Sequence, residues 1–459
     1  MARLTLCLIA RDEERMLPGC LASVAGVADE VVLVDTGSSD RTREVARAAG
    51  AKVLERPWDD DFAAPRNLAA RAATGEWLLV LDADERLAPG AGPALAAAMA
   101  RRDLDLGMVR LHNAAREDAP AEEILSGRAR QGAPVLLPRL VRNAGAPTWR
   151  GAIHESVADW LVARGDRRAD LDVDVLHLGY APALLVARDK RERNVRLLRR
   201  RCAEEPDDVT PRGYLALELL AAGRPEEAWR VTEEAWAMLP GQPAHRDLSR
   251  LAVARGLLAL RQPDPRAARD AADRAEARGG PHPDVDYLRG FALEIEAVAA
   301  APRSPERGAL LAAAEASLRS ALARLREGRP FEFVGAATEA GAGLHLGAVL
   351  LLGGRPREAL AAFAELLRAA PDAASARAGA AEALLDLGQP GKALELVEGA
   401  LGAAPDGWLV AAAAAHALGA AREARTFLAE AVRRGGAGYD CAHRRGRQAA
   451  LEAALGAAS

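Results

Sequence analysis

Four short apolar runs punctuate the first 82 residues, and helix-like stretches lie between them. "LTLCLIA" (Leu4–Ala10) and "EVVLVD" (Glu30–Asp35) have the length of buried strands, and "AKVLER" and "EWLLVLD" supply a third and a fourth. "DRTREVARAAG" starts on polar residues suited to a cap and ends on Gly50, with Val45 and Ala49 four apart, so it reads as an amphipathic helix. "AAPRNLAARAATG", closed by Gly75, is the next helix. Strand, helix, strand in this order implies right-handed crossovers and a mainly parallel, Rossmann-like sheet with helices on both faces. Such sheets bind ligands at the carboxyl ends of their strands. Asp35 and the acidic stretch Asp82–Glu85 belong at that edge.

From about residue 190 strands give way to alanine and leucine. "GLHLGAVLLLGGRPREALAAFAELLRAAPD" (Gly343–Asp372) is followed by "ARAGAAEALLDLGQPGKALELVEGALGAAPD" (Ala376–Asp406). Ala359 and Ala393 are 34 residues apart, and so are Pro371 and Pro405. That period belongs to tetratricopeptide repeats, in which each unit is a helix-turn-helix. Gly347 and Ala381 are expected where paired helices approach most closely. Tyr214–Gly241 is an earlier copy and Ala411–Gly435 a shortened last one; between about 245 and 335 the repeats are degenerate. Trp229, Trp236, Phe363 and Phe427 are spaced as packing residues of these units.

A chain of 459 residues exceeds one compact core. The formal net charge of −4 gives no electrostatic reason to invoke nucleic acid or an acidic membrane as partner. Cys7, Cys20, Cys202 and Cys441 are too scattered for a zinc site or a redox pair, and read as thiols in a reducing compartment. The N-terminal apolar stretch is short and is followed at once by charges, unlike a secretory signal. No run of about eighteen apolar residues appears, so no transmembrane segment is expected. The cytoplasm is the expected location, with the inner membrane face the alternative for a peripheral protein.

The strand "EWLLVLD" empties into Asp-Ala-Asp-Glu. In an extended segment Asp82 and Asp84 share a side, and two crowded carboxylates repel unless a cation separates them. Hard oxygen ligands suit Mg2+ or Mn2+, which commonly bridge to substrate phosphates; a solvated helix-capping loop is the plain alternative. "VVLVDTGSSDRT" places Asp35 at a strand end before a small-residue turn, where a carboxylate accepts hydrogen bonds from a base or ribose.

Taken in order, "LIARDEE", "VVLVDTGSSDRT", "WDDDFAAPRNLAARAATGEWLLVLDADE" and "WRGAIHES" resemble glycosyltransferase family 2 with the GT-A fold. The resemblance is to its branch with C-terminal tetratricopeptide repeats, which includes lipopolysaccharide-core glucosyltransferase relatives and bacterial peptide S-glycosyltransferases. It covers roughly residues 3 to 200. It implies that Ala10, Asp12 and Asp35 line the nucleotide pocket, that Arg66 and Asn67 approach the diphosphate, and that Asp82 contacts the ribose or metal. Asp84 would be the principal metal ligand. A further metal or phosphate ligand is expected from a histidine, either His177 or His154, with Tyr180 beside the former as an acceptor or phosphate contact. Glu155 is the candidate base for the acceptor proton, with Glu85 and Asp84 as competitors. The Gln-x-x-Arg-Trp signature of processive synthases is absent.

The expected organisation is a GT-A α/β domain over 1–187, an Arg-rich linker helix over 188–210, an all-α tetratricopeptide solenoid over 211–445 and a tail over 446–459. The arginines of "RDKRERNVRLLRRRC" face either solvent or phosphates, of the donor or of an anionic lipid acceptor. The expected activity is inverting, metal-dependent transfer of a sugar from a nucleotide-sugar, UDP-linked, to a peptide, protein or lipid-linked saccharide. The repeats would present an acceptor, form a homodimer or other protein contact, or buttress the catalytic domain. The rivals are a catalytically inactive repeat scaffold that only binds nucleotide or a partner, and a sugar-nucleotide nucleotidyltransferase. The latter calls for a glycine-rich loop after the first strand, which "ARDEERM" is not.

Overall fold

The computed structural model describes residues 2–179, 187–242, 248–262, 264–327, 331, 335–398, 401, 405–434 and 442–456. The chain divides into two compact units. The first comprises residues 1–251 with 328–333, and the second comprises 252–327 with 334–459.

The first unit is built on an eight-stranded sheet: β1 Leu4–Ala10, β2 Glu30–Asp35, β3 Lys52–Glu55, β4 Trp77–Asp82, β5 Glu85–Leu87, β6 Leu106–Asn113, β7 Val135–Arg142 and β8 Arg168–His177, in the order β3-β2-β1-β4-β7-β6-β8-β5. Pairings β1–β2, β1–β4, β2–β3 and β6–β8 are parallel, whereas β7 opposes β4 and β6, and β5 opposes β8. The sheet is therefore mainly parallel, with β5 and β7 reversed. Helices α1 Leu17–Ser23, α2 Thr42–Ala48, α3 Ala63–Ala72, α4 Gly92–Met99, α5 Ala121–Leu125 and α6 Ala158–Ala163 flank it. Leu6, Leu8, Leu79 and Leu81 face α1 and α4, and Cys7, Val32, Leu78 and Val80 face α3 and α6. Burial on both faces explains why these strands are apolar throughout rather than alternating. Glycine 75 admits β1 closely: a Cβ there would lie 2.7 Å from the Thr5 hydroxyl.

Helices α7 Ala187–Glu204, α8 Thr210–Ala221 and α9 Pro225–Ala237 complete this unit, and α10 Ser249–Arg261 begins at its end. The second unit continues as α11 Pro265–Gly279, α12 Pro283–Ala299, α13 Pro305–Arg326, α14 Glu339–Leu352, α15 Pro356–Ala369, α16 Ala374–Asp386, α17 Pro390–Glu398, α18 Pro405–Ala417, α19 Ala421–Arg433 and α20 Ala442–Gly456. The α/β-then-all-α architecture is the expected one, and the residues foreseen as a tail are helical to Gly456. The repeats pack as their small residues imply. Phe363 of α15 inserts between α14 and α16, and a Cβ on Gly347 or Gly379 would meet its ring at 2.3 and 2.5 Å. In the degenerate stretch, the buried Asp284 of α12 accepts backbone N–H groups of Gly335, Ala336 and Ala337. Among the described residues no helix is long and apolar enough to cross a membrane.

Candidate active site

Register brings the site together. Ala10 lies beside Asp35 and Ile9 beside Asp82 across β1, while His177 at the end of β8 lies between Glu85 and Asn113. The carboxyl edge thus holds two groups: a loop pair after β1 and β2, and a charged cluster after β4 and β8.

The loop pair is fastened internally. Asp35 is 1% exposed and accepts hydrogen bonds from the backbone N–H groups of Gly37 (3.1 Å) and Ser38 (3.0 Å), and from the Ser38 hydroxyl. The Ala10 carbonyl accepts from Thr36 N at 2.9 Å. Asp12 adopts φ +56°, and its carboxylate accepts from Ser39 N at 2.7 Å and Ser39 Oγ at 3.0 Å. Those bonds hold the Asp12 carboxyl below its usual range. Glu13 N donates to Thr42 Oγ1 and Glu14 N to Asp40 Oδ2, so the two loops are stitched into one rim. Expected as base or ribose contacts, Asp35 has both carboxylate oxygens and Asp12 its Oδ1 engaged in building that rim.

After Asp82 the chain turns rather than staying extended, so the carboxylates of Asp82 and Asp84 meet different neighbours. Asp82 faces two arginines: Arg66 Nη2 at 3.5 Å and Arg139 Nη2 at 3.4 Å. Arg66 in turn donates from Nε to Glu155 Oε1 at 2.6 Å, and Arg139 pairs with Glu85. An alternating row Glu155–Arg66–Asp82–Arg139–Glu85 results. Burial alone would raise the Asp82 carboxyl, but Arg139 and then Arg66 outweigh it and hold the group low. Burial instead wins at Glu85, pushing it up to about 7 against the pull of Arg139. Burial also lifts Glu13, helped by Asp84, to about 7.

Asp84 goes the other way. Its carbonyl accepts from Leu178 N at 3.0 Å, and its Oδ2 lies 3.4 Å from His177 Nε2. His177 Nδ1 is 2.8 Å from the Asn113 side-chain oxygen. With Nδ1–H donated to Asn113, a neutral ring turns a lone pair from Nε2 toward a carboxylate. Only a proton or a metal makes that approach favourable. Burial opposes charge on the ring, yet Asp84 outweighs it and holds His177 above its ordinary value. Gly179 leaves the space: a Cβ there would lie 1.8 Å from Asp84 Oδ2. The donor set therefore fits a divalent ion held by Asp84 and His177, with remaining positions for phosphate and water oxygens. Among the described residues no three His, Cys, Asp or Glu side chains group closely enough to hold a metal, so Asp82 does not complete a protein-only triad.

Three other expected site residues have protein neighbours of their own. Asn67, expected at the diphosphate, spends its amide on Trp149, donating to the carbonyl at 2.9 Å and accepting from the N–H at 2.8 Å; it fixes that loop. His154, at φ +52°, stacks its ring on Tyr214 of α8 with centroids 3.9 Å apart, so packing rather than phosphate binding occupies it. Glu155, expected as the base, accepts from Arg66 Nε through Oε1 at 2.6 Å. Tyr180 lies outside the described residues, as does Cys441. Sequence reasoning missed Arg139, Asn113 and Gly179. The one available signal was a charge interrupting the apolar run "VLLPRLVR".

Comparison with known proteins agrees with the resemblance. The model of glycosyl transferase family 2 matches residues 5–129, and that of the tetratricopeptide repeat matches residues 350–417. A TPR repeat-containing protein of Synechococcus elongatus is 38% identical over 46% of this chain and 50% of its own length. An uncharacterized glycosyltransferase of Rickettsia typhi is 33% identical over 19% of this chain and 30% of its own. The SPbeta prophage-derived glycosyltransferase SunS of Bacillus subtilis is 23% identical over 49% of this chain and 51% of its own. The chain thus spans about half the length of the first and third of these relatives, and less of the second. Its N-terminal part carries a glycosyl transferase family 2 domain, and its C-terminal part carries tetratricopeptide repeats.

Proposed function

We propose that this chain transfers a sugar from a nucleotide-sugar, UDP-linked, to a peptide, protein or lipid-linked saccharide, in one displacement that inverts the anomeric carbon. The facing pair Asp84–His177 carries the reading, because an imidazole nitrogen and a carboxylate oxygen 3.4 Å apart offer two adjacent donors to a divalent ion in place of the proton they can otherwise share. The glycosyltransferase names of relatives from Rickettsia typhi and Bacillus subtilis support it.

In this reading the loop rim of Ala10, Asp12 and Asp35 receives the nucleoside, and Arg66 offers its guanidinium to the diphosphate. Asp84 and His177 would hold Mn2+ or Mg2+, which would supply positive charge to stabilise the departing nucleoside diphosphate. Asp82 is the keystone between Arg66 and Arg139, and Glu155 sets the position of Arg66. The helical repeats supply a surface for the acceptor or for another protein.

The test is a panel of nucleotide-sugars incubated with Mn2+ and scored for free nucleoside diphosphate. Release from a UDP-sugar, abolished by Asp84→Ala, is the expected result. No release from any donor by the wild type, with or without candidate acceptors, would favour a repeat scaffold without catalysis.

A further inference from the structure

Helix α7 is the arginine-rich segment whose charge sequence reasoning left to solvent or to phosphates. Four of its arginines reach two loops, while Arg199 pairs with Glu227 of α9. Arg193 lies 5.8 Å from the centroid of the Phe62 ring. Arg196 pairs through both terminal nitrogens with Asp60, a residue at φ +62°, and Arg200 Nη1 donates to the carbonyls of Asp59 and Asp60 at 3.3 and 3.4 Å. Arg201 is 4% exposed and reaches the other loop, donating from Nη1 to the carbonyls of Ile153 (2.8 Å) and His154 (2.9 Å). Its Nε is held by Glu205 at 3.1 Å. The spacing 193, 196, 200 places these side chains along one stripe of the helix, and Arg201 projects from the side next to it.

The two loops deliver the Arg66–Glu155 pair. The first runs into α3, whose opening turns carry Arg66, and the second ends in Glu155. They are joined to each other through Phe62 N donating to the Ala152 carbonyl at 2.9 Å. Gly151 makes room for the clasp: it adopts φ +101°, and a Cβ there would lie 2.5 Å from the Arg201 guanidinium carbon. Two carbonyls immediately before Glu155 are thus tied to Nη1 of a buried guanidinium whose Nε is held at the same time by Glu205, a two-sided geometry that an ammonium group reproduces poorly.

We infer that Arg201 is a positioning residue: it fixes the Glu155 loop and, through Glu155, the guanidinium of Arg66 that meets the donor diphosphate. This rests on the donor reading given above. The experiment is titration of UDP in the presence of Mn2+ into the full chain, as wild type, Arg201→Lys, Glu155→Gln and the double variant, with the unfolding temperature of each. Arg201→Lys is expected to weaken UDP binding about tenfold, and in the Glu155→Gln background it should add less than about twofold, because both act on Arg66. Glu205→Gln, which loosens Arg201 without removing it, should weaken UDP binding by about two- to threefold at an unchanged unfolding temperature. That milder variant carries the test if Arg201→Lys does not fold. Losses that multiply in the double variant, or UDP affinity unchanged in Glu205→Gln and Arg201→Lys, overturn the positioning role alone. A wild type that binds no UDP overturns the donor reading, and the role of Arg201 falls with it.

Discussion

His177 presents Nε2 to the Asp84 carboxylate across 3.4 Å while Asn113 holds its Nδ1 at 2.8 Å. A histidine gripped from behind in this way has its tautomer and ring plane chosen before a metal arrives. Replacing Asn113 with alanine should lower Mn2+ affinity by about 10- to 100-fold, and Asp84→Ala should remove specific binding. Free Mn2+ measured by paramagnetic resonance during titration reads both. An Asn113→Ala protein that binds Mn2+ as tightly as wild type would take that side chain out of the site.

Glu155 was expected as the base for the acceptor and is found bonded to Arg66 at 2.6 Å. The two roles separate in steady-state kinetics. Loss of a counter-ion disturbs the donor contact, so Glu155→Gln should raise the donor KM by about tenfold or more. A fall in kcat of about 100-fold at unchanged donor KM would restore the base role.

Asp105 is wholly buried against Arg142, Arg164 and Arg167, at 3.2, 3.1 and 2.6 Å. Burial would raise its carboxyl, but hydrogen bonds from Arg164 and Arg167 outweigh this and hold it below the usual range. A depressed carboxyl stabilises the fold above its unfolded pKa of about 4, and that contribution disappears as the pH falls through the lower folded value. Asp105→Asn should therefore cost about 3 kcal/mol at pH 7, with the gap from wild type narrowing on acidification. Urea unfolding at neutral and acid pH measures it; a pH-independent gap would mean that packing, not charge, is what the substitution loses.

In the repeats, Phe363 occupies the space left by two glycines. Gly347→Ala would set a methyl 2.3 Å from the ring and should destabilise the protein by about 1–3 kcal/mol. Phe363→Leu in the same chain should recover part of that loss, since it shortens the side chain being struck. Calorimetry of the single and double variants would show it; strictly additive losses would argue against the steric account.

Much of the first unit was legible because both faces of its sheet are buried. The runs Leu4–Ala10 and Glu30–Asp35 coincide with β1 and β2 to the residue. The later strands were less visible. Arg110 and His112 on β6 and Asp172 and Asp174 on β8 form a cross-strand polar cluster, so neither reads as a simple apolar run. The acidic stretch after β4 announced a charged site, but not its partners. Asn113, Arg139 and His177 come from three later strands, and only the sheet order brings them to Asp82 and Asp84, while Glu155 arrives on a loop against Arg66. The alternation rule also failed locally, because a turn sends those two aspartates to different neighbours.

In the proposed reading, the seam between the loops after β1 and β2, where Asp12 meets Ser39 and Glu13 meets Thr42, bears on how donors would be chosen. A rim whose hydrogen bonds are already made loses little conformational entropy when a ligand settles on it. Discrimination among donors should then arise from single side-chain exchanges along that rim. Lengthening either loop would instead break the bonds that hold both, costing order in two places at once.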